Sequence, residues 1–186
     1  MTLIGKKARN HPQQIAARNA RAAQGSLLPE PHRFDVDDRS TPQDLWDRLH
    51  EKHQFTVDAA ASPANTKLPR FWTVNDSALD HSWKAEIVWC NPPYSEIRPW
   101  IEKALTECVA GCRLVVMLLP ANRTEQGWWQ ELIEPVRDTG KQHDVAVATE
   151  FLRGRLRFDG VEHPVDGKGN RPPFGCVLVT FRGNPS

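Results

Sequence analysis

The spacing of apolar positions changes along the chain, and each spacing implies a different element. Leu45, Trp46 and Leu49 recur at helical intervals after Thr41-Pro42. Thr41 can cap that helix, Pro42 suits its first turn and Asp44 holds the capping-box position, so a helix is expected from there to about residue 53. Residues 55–58 read as a short strand ending on an acid and running into Ala59-Ala60-Ala61-Ser62. Residues 87–90 and 114–119 are unbroken apolar runs, as in parallel strands covered on both faces. Between them, residues 98–109 have helical periodicity and stop before Gly111. A further helix is expected over 126–136, with Trp128, Trp129, Leu132 and Ile133 inward; the two tryptophans could stack on a base, but packing of one and a half-exposed place for the other is the expectation. A strand over 145–149 follows, then two strand-like segments, 151–158 and 176–181, joined by a loop rich in Gly, Pro and Lys.

Strands alternating with helices imply an α/β domain, here a mostly parallel sheet with an antiparallel hairpin at its edge. A chain of 186 residues, 39% of them hydrophobic, suits one such domain over residues 34–186. Residues 1–33 hold few large apolar side chains and read as a flexible arm with one short helix near 13–23. Charge divides the same way. The chain is formally +1, but six basic residues against Glu30 leave +5 on the arm and −4 on the remainder. The arm is therefore either a solvated tail or a segment that seeks polyphosphate. No apolar stretch of signal-peptide type opens the chain, so Cys90, Cys108, Cys112 and Cys176 are expected as reduced thiols of a cytoplasmic protein. Cys108 and Cys112 lie one helical turn apart, but no neighbouring His or Cys completes a metal set, and no metal is expected. The longest apolar run, residues 114–119, is far short of the roughly 20 residues of a membrane span, so no membrane partner is expected either.

Candidate chemistry concentrates in Asn91-Pro92-Pro93-Tyr94, directly after a buried strand. Open α/β sheets bind their ligands at that carboxyl edge. The prolines fix φ and remove backbone donors, which leaves carbonyl oxygens free to accept. The amide oxygen of Asn91 and a neighbouring carbonyl can then accept both hydrogens of an exocyclic amino group and orient its nitrogen toward an electrophile. Tyr94 offers a flat face on which a base can stack. An amide oxygen is a poor base, so Asn91 acts by position, and on this reasoning Asn91→Asp should keep activity within roughly tenfold.

The motif resembles that of amino-group methyltransferases, and its surroundings resemble phage-type DNA N-6-adenine methyltransferases. The resemblance runs from about residue 40 to 181 and includes Ser40-Thr41-Pro42, Phe55-Thr56-Val57-Asp58, Trp83, Leu118-Leu119-Pro120-Ala121-Asn122-Arg123 and Phe151-Leu152-Arg153-Gly154-Arg155. It implies a Rossmann-like class I fold, S-adenosylmethionine as cofactor, double-stranded DNA as partner, and methyl transfer to N6 of a flipped-out adenine. Phage encoding would place the protein in the cytoplasm of a bacterial host. Asn91, Pro92, Pro93 and Tyr94 would hold the adenine, and Thr41, Asp58, Ala59, Ala60 and Asp76 would approach the cofactor. Alanines stand where many methyltransferases have a glycine-rich turn. No separate recognition domain fits between Asp58 and Asn91, so DNA contacts are expected from the arm, from a second subunit or from the late segment. There Arg153, Arg155 and Arg157 alternate with apolar residues and would share one strand face, tracking phosphates or simply blunting an exposed edge. Arg123 is a further DNA-contact candidate that can also pair with Glu125. The same motif serves cytosine N4 and protein glutamine methylation, and the missing glycines admit a DNA-binding protein that keeps the fold without catalysis. The oligomeric state is open.

Overall fold

The computed structural model describes residues 39–138, 140–142, 144–159 and 172–183. The expected arm and most of the loop before the last strand lie outside the described residues. Helix α1 spans Gln43–His53 and buries Leu45, Trp46 and Leu49. Thr41 does not cap it. The cap position falls on Pro42, which lends no side chain, and the Gln43 N–H donates instead to Asp159 Oδ2 at 3.0 Å. At its other end Gln54 takes φ 54° and donates its side-chain amide to the His50 and Glu51 carbonyls.

Strand β1 (Val57–Asp58) is shorter than the expected 55–58 run. β2 (Ile87–Cys90), α2 (Arg98–Val109) and β3 (Leu114–Pro120) follow the apolar pattern. Helix α3 is confined to Gly127–Leu132, well short of the 126–136 expected, and it buries both Trp128 and Trp129. Neither tryptophan is half-exposed, because each ring N–H has a local acceptor, Gln126 for Trp128 and Glu134 for Trp129, both at 2.7 Å.

β4 (Lys141–Gln142), β5 (Val145–Phe151) and β6 (Cys176–Arg182) complete one six-stranded sheet in the order β1-β2-β3-β6-β5-β4. β1, β2 and β3 are mutually parallel. β6 lies antiparallel to both β3 and β5, so β5 shares the direction of the first three strands. The α/β class therefore holds, with an antiparallel β4–β5 hairpin at the edge. The late pairing differs from expectation in one respect. The 176–181 segment is an interior strand between β3 and β5, and the 152–158 segment meant to pair with it forms no strand. Their backbone leaves the sheet after the Leu152 N–H bonds the Cys176 carbonyl and returns to Ser40, where the Asp159 N–H bonds its carbonyl at 3.0 Å.

The sheet is covered on both faces. Val115, Met117 and Leu119 of β3 pack with α2, Trp128 and Trp129 on one side. Leu114, Val116 and Leu118 pack with α1, Trp89 and Phe158 on the other. This period-two division of an all-apolar strand is what a centrally buried strand requires. Between β1 and β2 there is only a short 3-10 turn, Ala78–Asp80, and residues 70–72 run beside β1, with Trp72 donating to the Asp58 carbonyl at 3.0 Å.

Candidate active site

Parallel strands bring Asp58, the last residue of β1, and Asn91, the first residue after β2, to the same edge of the sheet. Asn91 uses its two amide atoms differently. Its Nδ2 donates to the Arg39 carbonyl at 2.6 Å, while its Oδ1 is buried and has no hydrogen-bond partner among the described residues. One end of the amide is thus clamped, and the buried acceptor end is not paired with any described residue. Pro92 is buried and Pro93 half-buried beside it.

Tyr94 is only 3% exposed. Its ring lies 6.1 Å from that of Phe174, and the Arg39 guanidinium stands 5.7 Å from the Tyr94 ring, 5.3 Å from Phe174 and 5.7 Å from Phe158. The Tyr94 hydroxyl is buried beside Cys176, and burial pushes its pKa far up. Arg123 donates a guanidinium N–H to the Tyr94 carbonyl, so it braces the motif's backbone and does not pair with Glu125. Arg39 and Arg123 thus grip the motif from two sides, one by a carbonyl and one by a guanidinium.

Next to Asn91 opens a cleft of about 680 Å³. Ala59, Ala60, Ala61 and Ser62 form one wall, Thr73, Asn75 and Ser77 another, and Trp100 closes it together with Pro93. None of Ala59, Ala60, Ala61 and Ser62 has positive φ. Their path is held by bonds any residue can make: Ala59 N–H to Trp89 O at 2.8 Å, Ala61 N–H to Trp72 O at 3.0 Å, and Ser62 N–H to Asn65 Oδ1 at 2.7 Å. Glycine is needed where φ is positive or where a Cβ would collide, and here alanine meets neither demand.

A narrower recess beside it gathers Thr41, Asp58, Ala60, Lys67 and Asn91. Asp58 is 3% exposed, and its Oδ1 is buried without a hydrogen-bond partner among the described residues while Oδ2 accepts from the Lys67 backbone N–H at 3.3 Å. Burial raises its pKa to about 6, against the opposing pull of the Lys67 and Ala60 backbone N–H groups and of the Lys67 charge. Burying a carboxylate without full pairing disfavours its charged form, which is the direction of the shift.

Of the residues singled out from the sequence, Asn91, Pro93, Ala59 and Ala60 line the cleft, and Thr41 and Asp58 line the recess. Asp76 does not join them, since it is exposed and pairs with His81 Nε2 at 2.7 Å. Arg153, Arg155 and Arg157 are exposed, but the segment that carries them is not the strand expected from their alternation. Sequence reasoning does not reach Arg39, Asn65, Thr73, Asn75, Ser77, Trp100 or Phe174. Only Asn75 and Ser77, neighbours of Asp76 in the chain, carry a signal that could have found them.

The chain matches the family model described as DNA N-6-adenine-methyltransferase (Dam) over residues 29–184. It is 36% identical over 90 residues to a DNA N-6-adenine-methyltransferase of Haemophilus phage HP1, a match covering 44% of this chain and 52% of the relative. With a DNA N-6-adenine-methyltransferase of Escherichia phage T1 it shares 33% identity over 94 residues, covering 50% and 39% respectively. The chain thus spans about half or less of the length of these curated relatives. A crystal structure described as a candidate RNA methyltransferase from Pyrococcus horikoshii aligns with a TM-score of 0.46 at 13% identity, covering 94% of this chain and 99% of that one. With the family model covering residues 29–184 and the Asn-Pro-Pro-Tyr motif seated at the carboxyl edge of an α/β sheet, the chain belongs to the DNA N-6-adenine-methyltransferase (Dam) family.

Proposed function

We propose that this protein transfers a methyl group from S-adenosylmethionine to the N6 amino group of adenine in double-stranded DNA. The observation that carries the reading is the clamped Asn91 amide, whose buried Oδ1 has no hydrogen-bond partner among the described residues, and Asn91 lines a cleft walled by small residues. The residues present suit the cofactor. About 680 Å³ falls within the range of small-molecule sites, the alanine wall allows close backbone approach, and the unpartnered Asp58 Oδ1 would accept a hydroxyl or ammonium hydrogen. Ala59, Ala60, Asn75, Ser77 and Trp100 would hold it, with Thr41 and Asp58 at the recess. When bound, S-adenosylmethionine supplies an electrophilic methyl on a sulfonium.

The chain's own part is orientation. Asn91 Oδ1 and the Pro92 carbonyl accept the two hydrogens of the adenine amino group, which turns the nitrogen lone pair toward the cleft. Neither oxygen is basic enough to take a full proton, so the proton leaves to water after transfer. Tyr94 provides the stacking surface for the flipped base, which requires Arg39 and Phe174 to yield the space over its ring. Arg153, Arg155 and Arg157, exposed on the segment that passes from β5 to Ser40, serve as phosphate contacts, while Arg123 serves the fold of the motif.

The test is to incubate double-stranded DNA with methyl-labelled cofactor, digest it to nucleosides and find which one carries the label. Label on N6-methyl-2′-deoxyadenosine is the expected result. Label on N4-methylcytosine would replace adenine as the target, and cofactor binding by calorimetry without any transfer would indicate a binding protein that keeps the fold.

A further inference from the structure

The edge of the sheet opposite Asn91 carries a second concavity. A cleft of about 930 Å³ opens where β2 and β3 begin and β6 ends, and Ile87, Leu114 and Arg182 lie on its walls. Four cations converge on it from four elements: Lys52 from the last turn of α1, Lys84 and Arg113 from the approaches to β2 and β3, and Arg182 from the end of β6. No Asp or Glu lines it among the described residues, and there none of the four cations enters an ion pair. Four like charges around one concavity repel one another, and a low-dielectric wall on one side weakens the screening. The body of the chain from residue 34 onward has a formal charge of −4, so this cluster stands against the prevailing sign.

His53, on the rim, has its pKa lowered by burial first and then by the Lys52 and Arg182 charges, with Glu150 opposing them. The wall is not purely polar. Ile87 and Leu114 contribute to it, and Val109 is 63% exposed at its mouth. Cations beside apolar surface suit a ligand with several negative charges and a flat or apolar portion, which is the chemistry of a nucleotide and not of a simple inorganic anion.

We propose that this cleft binds phosphorylated nucleotide units, either of a single-stranded nucleic acid or as a free nucleotide, at a site separate from the methyl-transfer centre. The phosphates would sit among Lys52, Lys84, Arg113 and Arg182, with the base against Val109 and Leu114. The reading does not rest on the methyl-transfer proposal, because its residues lie at the other edge of the sheet.

The experiment uses deoxythymidine triphosphate and a short fluorescein-labelled oligothymidylate, both lacking adenine and so poor probes of the catalytic site. Binding is measured over a salt series for the wild type, for Lys84→Glu/Arg113→Glu, and for the milder Lys52→Gln/Lys84→Gln, which changes only exposed side chains. The wild type should bind at least one probe. Charge reversal should weaken that binding about tenfold or more, and the oligonucleotide salt slope should fall by about 0.7 for each phosphate that no longer meets a cation. Cofactor affinity, measured in parallel, should be unchanged. Triphosphate binding alone supports the free-nucleotide form, and oligothymidylate binding, displaced or not by the triphosphate, supports the nucleic-acid form. The proposal is overturned if the wild type binds neither probe, or if affinities and salt slopes are the same in all three proteins.

Discussion

An asparagine can donate with one end and accept with the other, and at position 91 both ends are assigned. Nδ2 is committed to the Arg39 carbonyl at 2.6 Å and Oδ1 is unpartnered among the described residues. This changes the expectation for Asn91→Asp. Considered as an acceptor alone, the carboxylate looks harmless, but one of its oxygens would face the Arg39 carbonyl oxygen, acceptor against acceptor, at a penalty of about 1–3 kcal/mol. Asn91→Asp should therefore lose about tenfold to a hundredfold in single-turnover rate at neutral pH with saturating cofactor, and should recover as pH falls, because a protonated carboxyl can again donate to Arg39. Asn91→Ala removes the acceptor and should lose about a hundredfold or more at every pH. Wild-type rates in the aspartate variant at neutral pH would show that the Arg39 clamp does not operate. The motif itself was legible because four consecutive residues carry it. Its clamp was not, because Arg39 and Asn91 are far apart in the chain and backbone carbonyls leave no mark in a sequence.

At the scale of elements, helix α1 shows how a local signal can be overridden. Thr41-Pro42 with Asp44 is a convincing start signal, and the helix does begin there, yet the acceptor for its first free N–H is Asp159 Oδ2, supplied from the other end of the chain. Asp159 also lies 3.7 Å from Lys67 Nζ, so one carboxylate ties α1, the loop after β1 and the end of the 152–158 segment together. Asp159→Ala should lower stability by about 0.5–2 kcal/mol, as loss of a cap does, and Asp159→Asn, which keeps an acceptor oxygen, should recover most of it. Denaturant melts would give the magnitude, and amide exchange at Gln43 would show faster opening in the alanine variant only. Equal exchange in both would mean that the cap is incidental. The same segment explains the failed strand. Residues 152–158 alternate as a strand should, but β5 ends at Phe151 and the chain turns back to Ser40, which buries Phe158 against α1's side of the sheet.

For the whole molecule, Asp58 links the site to stability. Its ordinary pKa of 3.8 rises to about 6 in the fold, chiefly through burial. Between those values the folded state binds more protons than the unfolded state, so stability falls as pH rises through that window. Below it the penalty is absent, and above about pH 6 it is complete, on the order of 3 kcal/mol from the size of the shift. In cofactor-free protein, Asp58→Asn should therefore gain on the wild type as pH rises from about 4 to about 6 and hold a constant difference above that. Chemical denaturation across pH would measure it. A wild type that gained stability over the same interval relative to the variant would contradict the burial account. A donor on Oδ1 would relieve the penalty, so saturating cofactor should shrink the difference.

Taken by itself, the sequence determined the α/β class, the three parallel strands, the two helices that precede β1 and follow β2, and the Asn91-Pro92-Pro93-Tyr94 motif at a strand end. These follow from periodicity and from contiguous residues, and both are local properties of a chain. Only the tertiary structure decided that β6 inserts between β3 and β5, that Asp76 turns away to His81, and that the alanines after β1 need no positive φ. It alone placed Arg39 over Tyr94 and gathered Lys52, Lys84, Arg113 and Arg182 around one cleft. Those facts depend on which distant segments meet when the sheet closes its hydrogen bonds and buries both faces, and pairing across tens of residues leaves no periodic trace in the amino-acid order.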